Sequence, residues 1–495
     1  MSKIYHLSIF FFGLIVVAKA QEPIVLYPNQ VINGGYFGEN LAAYNDVIAI
    51  RFRFVDSMGV LRDAVRIYRR LDGEWVEESL LIDEDDTVLT TACFGCSMSI
   101  YENYLLIGSH GDDENGVDAG AAFVYEYANG EWVEIAKITP SDASPNQGCG
   151  NVFINEDYLM VGCASEDANG IPGSGSVYIF KKDGEAWIEQ TKLVASDATP
   201  FSGFGGVMSI MGDYAFVGSI RAENELGEPT GAVYVFKNEN EEWIEIAKLF
   251  GSDAIGGFFH VLSNENTLLV GGRMLGENNY ERGIAYLFKK QGEDWVEVQK
   301  LIPSIELQYD LGLKAIDLDG NYIALSNADN IENATIHIFK KAQNSWAEVM
   351  TISRETENIE RFGHDLALAN NRLIVGAWQH YYQDSDSIKT GAVYIYDLDL
   401  LVGSDENILA TTPLLIRPNP SQSTVQVLLN VERPTAVRRL ELYDARGRLV
   451  QTIASDGLAR RQHEWSVELG GLPAGYYVLR GISDEQTFVG RLLKM

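Results

Sequence analysis

Residues 231–249 read GAVYVFKNENEEWIEIAKL. Residues 232–236 are β-branched and aromatic, residues 237–242 are charged and carry Asn, and residues 243–248 alternate apolar with polar. Alternation with period two marks a half-buried strand, and a polar break between two such runs marks a hairpin. The frame recurs. Trp75, Trp132, Trp187, Trp243, Trp295 and Trp346 lie 57, 55, 56, 52 and 51 residues apart, each followed two residues later by Glu. Each follows a strand of the same type, at 65–68, 121–125, 176–180, 232–236, 284–288 and 335–339; a seventh such strand, 392–396, has no tryptophan after it. Upstream, Phe37-Gly38, Phe94-Gly95, Phe204-Gly205 and Phe362-Gly363 each open an apolar run, then a short polar turn and a buried strand such as 104–108 or 372–376.

A self-similar period of roughly 20–50 residues signals a solenoid, propeller or array. Four strands per unit without helical periodicity predict an all-β fold, a seven-bladed β-propeller of four-stranded blades. Six full units plus residues 362–396 leave the last blade one strand short. Residues 23–28, which include Ile24-Val25-Leu26, form an orphan strand ahead of Phe37. Pairing it with the last blade closes the ring and removes its open edges. The alternative is six blades with a loose N-terminal arm.

FG at the first strand, a VG step at the second and GAVYVF at the third resemble FG-GAP repeats of secreted bacterial proteins, over about residues 23–397. That resemblance implies the propeller and says little about ligand. Integrin-type members carry a DxDxDG calcium loop between the first two strands. Here only Asp317-Leu-Asp319-Gly320-Asn321 approaches it. Two units depart from the pattern: the third has Gly148-Cys149 for Phe-Gly, and the first carries Arg51 in its second strand.

The ends differ from the middle. Lys3, an apolar run over 7–17 and Ala18-Lys19-Ala20 read as a signal peptide over 1–20, too short to span a bilayer. Residues 413–495 hold 11 Lys/Arg and 8 Asp/Glu, a net of +3, and the leader carries +2, so the −32 of the chain leaves −37 for the middle. That break sets a propeller at 21–400, a linker at 401–412 and a further domain at 413–495. In the last, short strands at 425–429, 440–443, 449–453, 464–467 and 476–479 suggest a small β-sandwich. Pro418-Asn419-Pro420, Asp444 with Gly447-Arg448, Gly475-Tyr476 and Lys494 resemble the C-terminal sorting domain of the type IX secretion system. The resemblance implies that the secretion machinery is a partner and that the chain is secreted or held at the outer-membrane surface. An Ig-like binding module is the alternative.

The acidity of the middle disfavours nucleic acid, since affinity there depends on Lys and Arg neutralising phosphates. No other segment reads as membrane-spanning. Cys149 and Cys163 lie seven residues either side of Glu156, which places them opposite each other on one hairpin as a disulfide. Cys93-Phe-Gly-Cys96 stays open between a redox pair, half a zinc site, a strained disulfide and two small residues at a strand start.

Function concentrates on loops that a rigid scaffold presents. The loops joining second to third strands are the long ones. Asp112, Asp113 and Asp118 offer oxygen ligands suited to Ca2+, or are solvated loop charge. Trp378, His380, Tyr381 and Tyr382 are aromatics outside the repeating core pattern, able to stack on a sugar ring or anchor a protein, or simply to pack on neighbouring loops. No G-x-S-x-G, H-E-x-x-H, phosphate loop or Asp box occurs. The expectation is a non-enzymatic binding or adhesion propeller for an extracellular glycan or protein. The rival is a propeller glycoside hydrolase or polysaccharide lyase.

Overall fold

The computed structural model describes residues 23–30, 32–83, 93–264, 266–275, 281–304, 313–327, 335–342, 345–353, 360–381, 388–402, 414–417, 423–444, 449–473, 475–483 and 487–494. The expected signal peptide lies outside them, as does the expected linker from residue 403. The chain divides into two compact units, Pro23–Leu398 and the residues from Asp399 onward.

Among the described residues the first unit holds seven four-stranded antiparallel sheets. Blades 1 to 6 cover residues 41–82, 97–138, 151–193, 204–249, 254–301 and 313–353. Blade 7 joins Phe362–Ala369, Arg372–Ala377 and Ala392–Asp397 to Ile24–Leu26, which pairs antiparallel with the last of these. First strands of successive blades lie side by side, and that of blade 1 lies against that of blade 7. The sheets therefore close into a ring, a β-propeller. The opening hairpin is the third and fourth strands of blade 4, Ala232–Glu239 and Glu242–Leu249.

Three contacts repeated between blades explain the repeated residues. The glycine of the second strand marks where blades touch backbone to backbone: a Cβ on Gly108, Gly162 or Gly376 would stand 1.8, 2.1 or 1.9 Å from the carbonyl oxygen of Gly150, Gly205 or Gly38 in the next blade. In blades 3 to 6 the Glu after the tryptophan reaches back to a serine in the connection ahead of its blade. Ser141, Ser196, Ser252 and Ser304 each donate backbone N–H and Oγ–H to Glu189, Glu245, Glu297 and Glu348. The following Asp binds the third-strand Tyr and fourth-strand Lys of that same blade: Asp197 with Tyr234 and Lys248, Asp253 with Tyr286 and Lys300, Asp142 with Tyr178 and Lys192.

Around the channel, the innermost strands expose amides with no strand partner. Side chains of the preceding blade cap them. Ser97 and Ser99 accept from the N–H groups of Val152 and Ile154, and Asp365 and Asp317 accept from those of Leu41 and Leu368. Satisfying such buried groups is obligatory rather than optional, because an orphaned amide costs about as much as a lost hydrogen bond.

The C-terminal unit is a six-stranded arrangement around one long strand, Thr424–Asp444. Sequence patterning reads two short strands there; they are one. Its first part pairs with Leu415–Arg417 and Ala459–Glu468, and its second with Leu449–Ala454 and Gly475–Ser483, which also pairs with Thr487–Lys494. A register break between Asn430 and Thr435 lets the strand pass from one layer to the other, the usual way to turn a corner between packed sheets. Val425, Val427, Leu429, Leu440, Leu442, Val467, Leu479 and Phe488 form the core between the layers.

Candidate functional site

An antiparallel meander puts the start of strand 1, the end of strand 2, the start of strand 3 and the end of strand 4 on one face. On this face the repeat leaves slots that each blade fills differently. The third residue after strand 2 is Asp112 in blade 2, Glu166 in blade 3, Ala222 in blade 4 and His380 in blade 7. The carbonyl of each accepts from a glycine N–H, of Gly120, Gly175, Gly231 and Gly391. Where the blade has a fourth-strand lysine, the slot acid binds it: Asp112 pairs with Lys137 at 2.8 Å, and Glu166 with Lys192 and, at 3.2 Å, with the Tyr178 hydroxyl.

Blade 7 has no such lysine. His380 fills the slot and bonds through Nδ1 to the Tyr394 hydroxyl at 3.1 Å, with Glu360 Oε1 at the same distance and Tyr27 beside its ring. Tyr381 forms a β-bridge with Lys389, whose ammonium stands 5.0 Å from the tyrosine ring centre. Tyr382 lies outside the described residues.

Trp378 sits where blade 7 meets blade 1. Tyr36 packs against it at 5.0 Å between ring centres and His364 meets it edge-on at 5.8 Å. Its Nε1–H is buried and finds no acceptor among the described residues. Tyr36 has φ of 50°, in the slot where blades 3 and 4 place Gly148 and Gly203. A non-glycine residue held there carries local strain, which persists only where its surroundings demand it. The Arg53 guanidinium lies 4.8 Å over Tyr36, and Arg53 shares Asp63 with Arg51. Burial depresses the pKa of His364, and likewise that of His110 at the equivalent edge of blade 2. Sequence reasoning picked out Trp378 and missed Tyr36, Arg53 and His364, because their meeting depends on ring closure. The signal was present: all four interrupt the repeat.

The acidic loop does not form a site of three carboxylates. Asp112 and Glu114 are taken by the Lys137 ammonium, and Asp113 accepts from the backbone N–H of Asp118. Among the described residues no three His, Cys, Asp or Glu side chains converge on a point that could hold a metal ion. Asp317, the start of the nearest approach to a calcium loop, instead caps two amides, those of Leu318 and Leu368. Burial, with a smaller contribution from a neighbouring carboxylate, pushes its carboxyl up to about 6 and that of Asp365 up to about 7.

Both disulfides are formed, Cys149–Cys163 across the first hairpin of blade 3 and Cys93–Cys96 within one turn. Pairing decides between the readings left open for the second: its thiols are neither zinc ligands nor unpaired small residues.

Of the sorting-motif residues, Asp444 ends the long strand, Gly475 and Tyr476 open the next-to-last strand and Lys494 ends the last, where Gly475 faces it. Pro418, Asn419, Pro420, Gly447 and Arg448 lie outside the described residues.

Residues 75–125, 132–180 and 187–236 match the FG-GAP repeat, and residues 415–495 match the secretion system C-terminal sorting domain. Each matched repeat runs from a fourth strand of one blade through the third strand of the next, so the sequence unit is offset from the blade by one strand. The chain thus carries FG-GAP repeats within its β-propeller, together with a sorting domain that marks it for export. Its C-terminal domain is that of the type IX secretion system and directs it to the cell surface or outer membrane. No curated relative matches. Among solved structures, a 6-phosphogluconolactonase-like protein from Bacteroides uniformis is 12% identical, covering 81% of this chain and 95% of its own, with a TM-score of 0.43. The propeller domain of the Trilobed protease from Pyrococcus furiosus is 9% identical, covering 76% and 96%, with a TM-score of 0.43.

Proposed function

We propose that the exported propeller is a non-enzymatic binding or adhesion module that takes an extracellular glycan or protein on the face where blade 7 meets blade 1. The observation that carries this is the Trp378–Tyr36–Arg53 stack: two aromatics and a guanidinium held together at the ring seam, one of them in a strained backbone conformation. Aromatic rings with an adjacent polar group suit sugar faces and protein hot spots. His380 supports the loop rather than contacting ligand, since Tyr394 and Glu360 already occupy it. The test is a glycan array, with a panel of surface proteins, probed with the secreted protein and with Trp378→Ala and Tyr381→Ala. Loss of a hit in both variants supports the site. Full retention moves it elsewhere.

A hydrolase or lyase reading draws on Asp317 and Asp365, two buried carboxyls with raised pKa. Their oxygens are engaged by backbone amides in the slots that Ser97 and Ser99 fill in blade 2, which favours a structural role. Polysaccharide cleavage by the wild-type chain that disappears in Asp365→Ser would favour the enzyme instead.

A further inference from the structure

Two departures from the repeat meet at the junction of blades 1 and 2. Arg51 stands in the second-strand slot that is Gly108, Gly162 and Gly376 elsewhere, and the turn facing it is Cys93-Phe94-Gly95-Cys96. At Gly108, Gly162 and Gly376 a Cβ would collide with the backbone of the next blade, and blade 6 places only a serine here, Ser326, whose hydroxyl bonds to the Gly363 carbonyl. Here a Cβ on Gly95 would stand 3.3 Å from Arg51 Cγ, so the turn lies directly on the arginine stem. Cys93 takes φ of 54°, and the Cys96 N–H bonds back to the Cys93 carbonyl at 3.0 Å. The Arg51 side chain is 2% exposed, and its guanidinium bridges Glu39 and Asp63. Cys93 and Cys96 are each partly exposed, whereas Cys149 and Cys163 are 0% exposed.

We propose that Cys93–Cys96 is a thiol-exchangeable clasp that keeps the turn closed over Arg51, and that opening it uncovers the guanidinium. Exchange needs an attacking thiolate to reach a sulfur. Only this pair is reachable in the folded chain. A thiol reductant attacks one sulfur, forming a mixed disulfide and releasing the other cysteine as a thiolate. A second reductant thiol then displaces the first cysteine, and the reductant leaves as its own disulfide, with two electrons and two protons transferred to the protein. With the turn open, an external anionic group can exchange with Glu39 or Asp63 on the Arg51 guanidinium fork.

The test is dithiothreitol titration of the native full chain, then alkylation, arginine labelling with p-hydroxyphenylglyoxal, and peptide mapping. The expected result is alkylation of Cys93 and Cys96 at reductant levels that leave Cys149 and Cys163 protected, with Arg51 labelling rising at least several-fold in that same window. The Cys93→Ser/Cys96→Ser variant, checked for a native near-UV spectrum, should label Arg51 without reductant. If that variant does not fold, the wild-type titration alone decides. Reduction of both pairs together, or unchanged Arg51 labelling after selective opening, overturns the proposal.

Discussion

Val25 stands opposite Tyr394 in the ladder position that Lys192 holds opposite Tyr178 and Lys248 opposite Tyr234. The strand that closes the ring is thus a substitute, of three residues where the other fourth strands have eight or nine. It supplies packing without the ammonium. Leu26 is its buried residue, in one cluster with Ile48, Ile374 and Val393.

Leu26→Ala should therefore destabilise the propeller by about 2 kcal/mol, at the low end for a buried leucine because the strand is short. Urea unfolding of the full chain measures it. A change within error would show that Ile24–Leu26 is dispensable for closure.

The missing ammonium explains His380. An acid in that slot would face Glu360 with Val25 where blades 3 and 4 have a lysine. His380→Glu should destabilise by about 1–3 kcal/mol, and adding Val25→Lys should recover part of the loss by rebuilding the Glu166–Lys192 arrangement. The double-mutant cycle should give favourable coupling; additive effects would contradict the slot equivalence.

Trp132 Nε1 donates to Glu78 and Trp243 Nε1 to Gln190, each three residues after the preceding tryptophan. The corresponding residues before Trp187 and Trp295 are Ile135 and Ile246, both about 40% exposed, and those indole N–H groups are buried without an acceptor. Ile135→Gln or Ile246→Gln should stabilise the chain by about 1 kcal/mol, since each gives a buried donor its partner. Thermal melting reads this as a small rise; a fall would mean that the isoleucine packing outweighs the bond.

Asp365 titrates near 7 when folded and near 4 when unfolded. Between those values the folded state holds the proton that the unfolded state has released, so stability falls as pH rises, by at most about 1.4 kcal/mol per pH unit. Below that window both states are protonated, and above it the full penalty persists. His260, which burial depresses to about 4, acts in the opposite sense below its ordinary value. The difference between Asp365→Ser and wild type isolates the carboxyl: the serine keeps the latch, as Ser97 does, and should grow relatively more stable from pH 4 to 7. A flat difference profile would remove the carboxyl as the cause.

Cys149–Cys163 closes 15 residues, counted from a separation of 14. Replacing both by Ala should cost about 3 kcal/mol in the chain-entropy view while leaving the hairpin register intact. Denaturant unfolding under oxidising conditions measures the loss.

Much of the scaffold was legible because its repeated residues make repeated contacts. The Trp and Glu spacing located four strands per unit, and the absent seventh tryptophan led to Ile24–Leu26. The connection serines were legible too, nine residues after their tryptophans at Ser141, Ser196, Ser252 and Ser304, but nothing in a pattern says what a serine will hold. Trp378 stood out as an interruption. Tyr36 and Arg53 interrupt the repeat too, but nothing local ties them to Trp378, because they lie more than three hundred residues away and become adjacent only when the ring closes.

By itself, then, the sequence determined the strand order, the ring and the export address, all of which follow from local periodicity and motif spacing. Tertiary structure alone decided which interruptions meet. It placed Arg51 under the Cys93–Cys96 turn, gave Asp112 to Lys137, turned Asp317 and Asp365 into channel latches and set Trp378 against Tyr36. Those outcomes depend on contacts between blades, where a side chain's role is set by the slot it enters and by what its neighbour leaves unpaired.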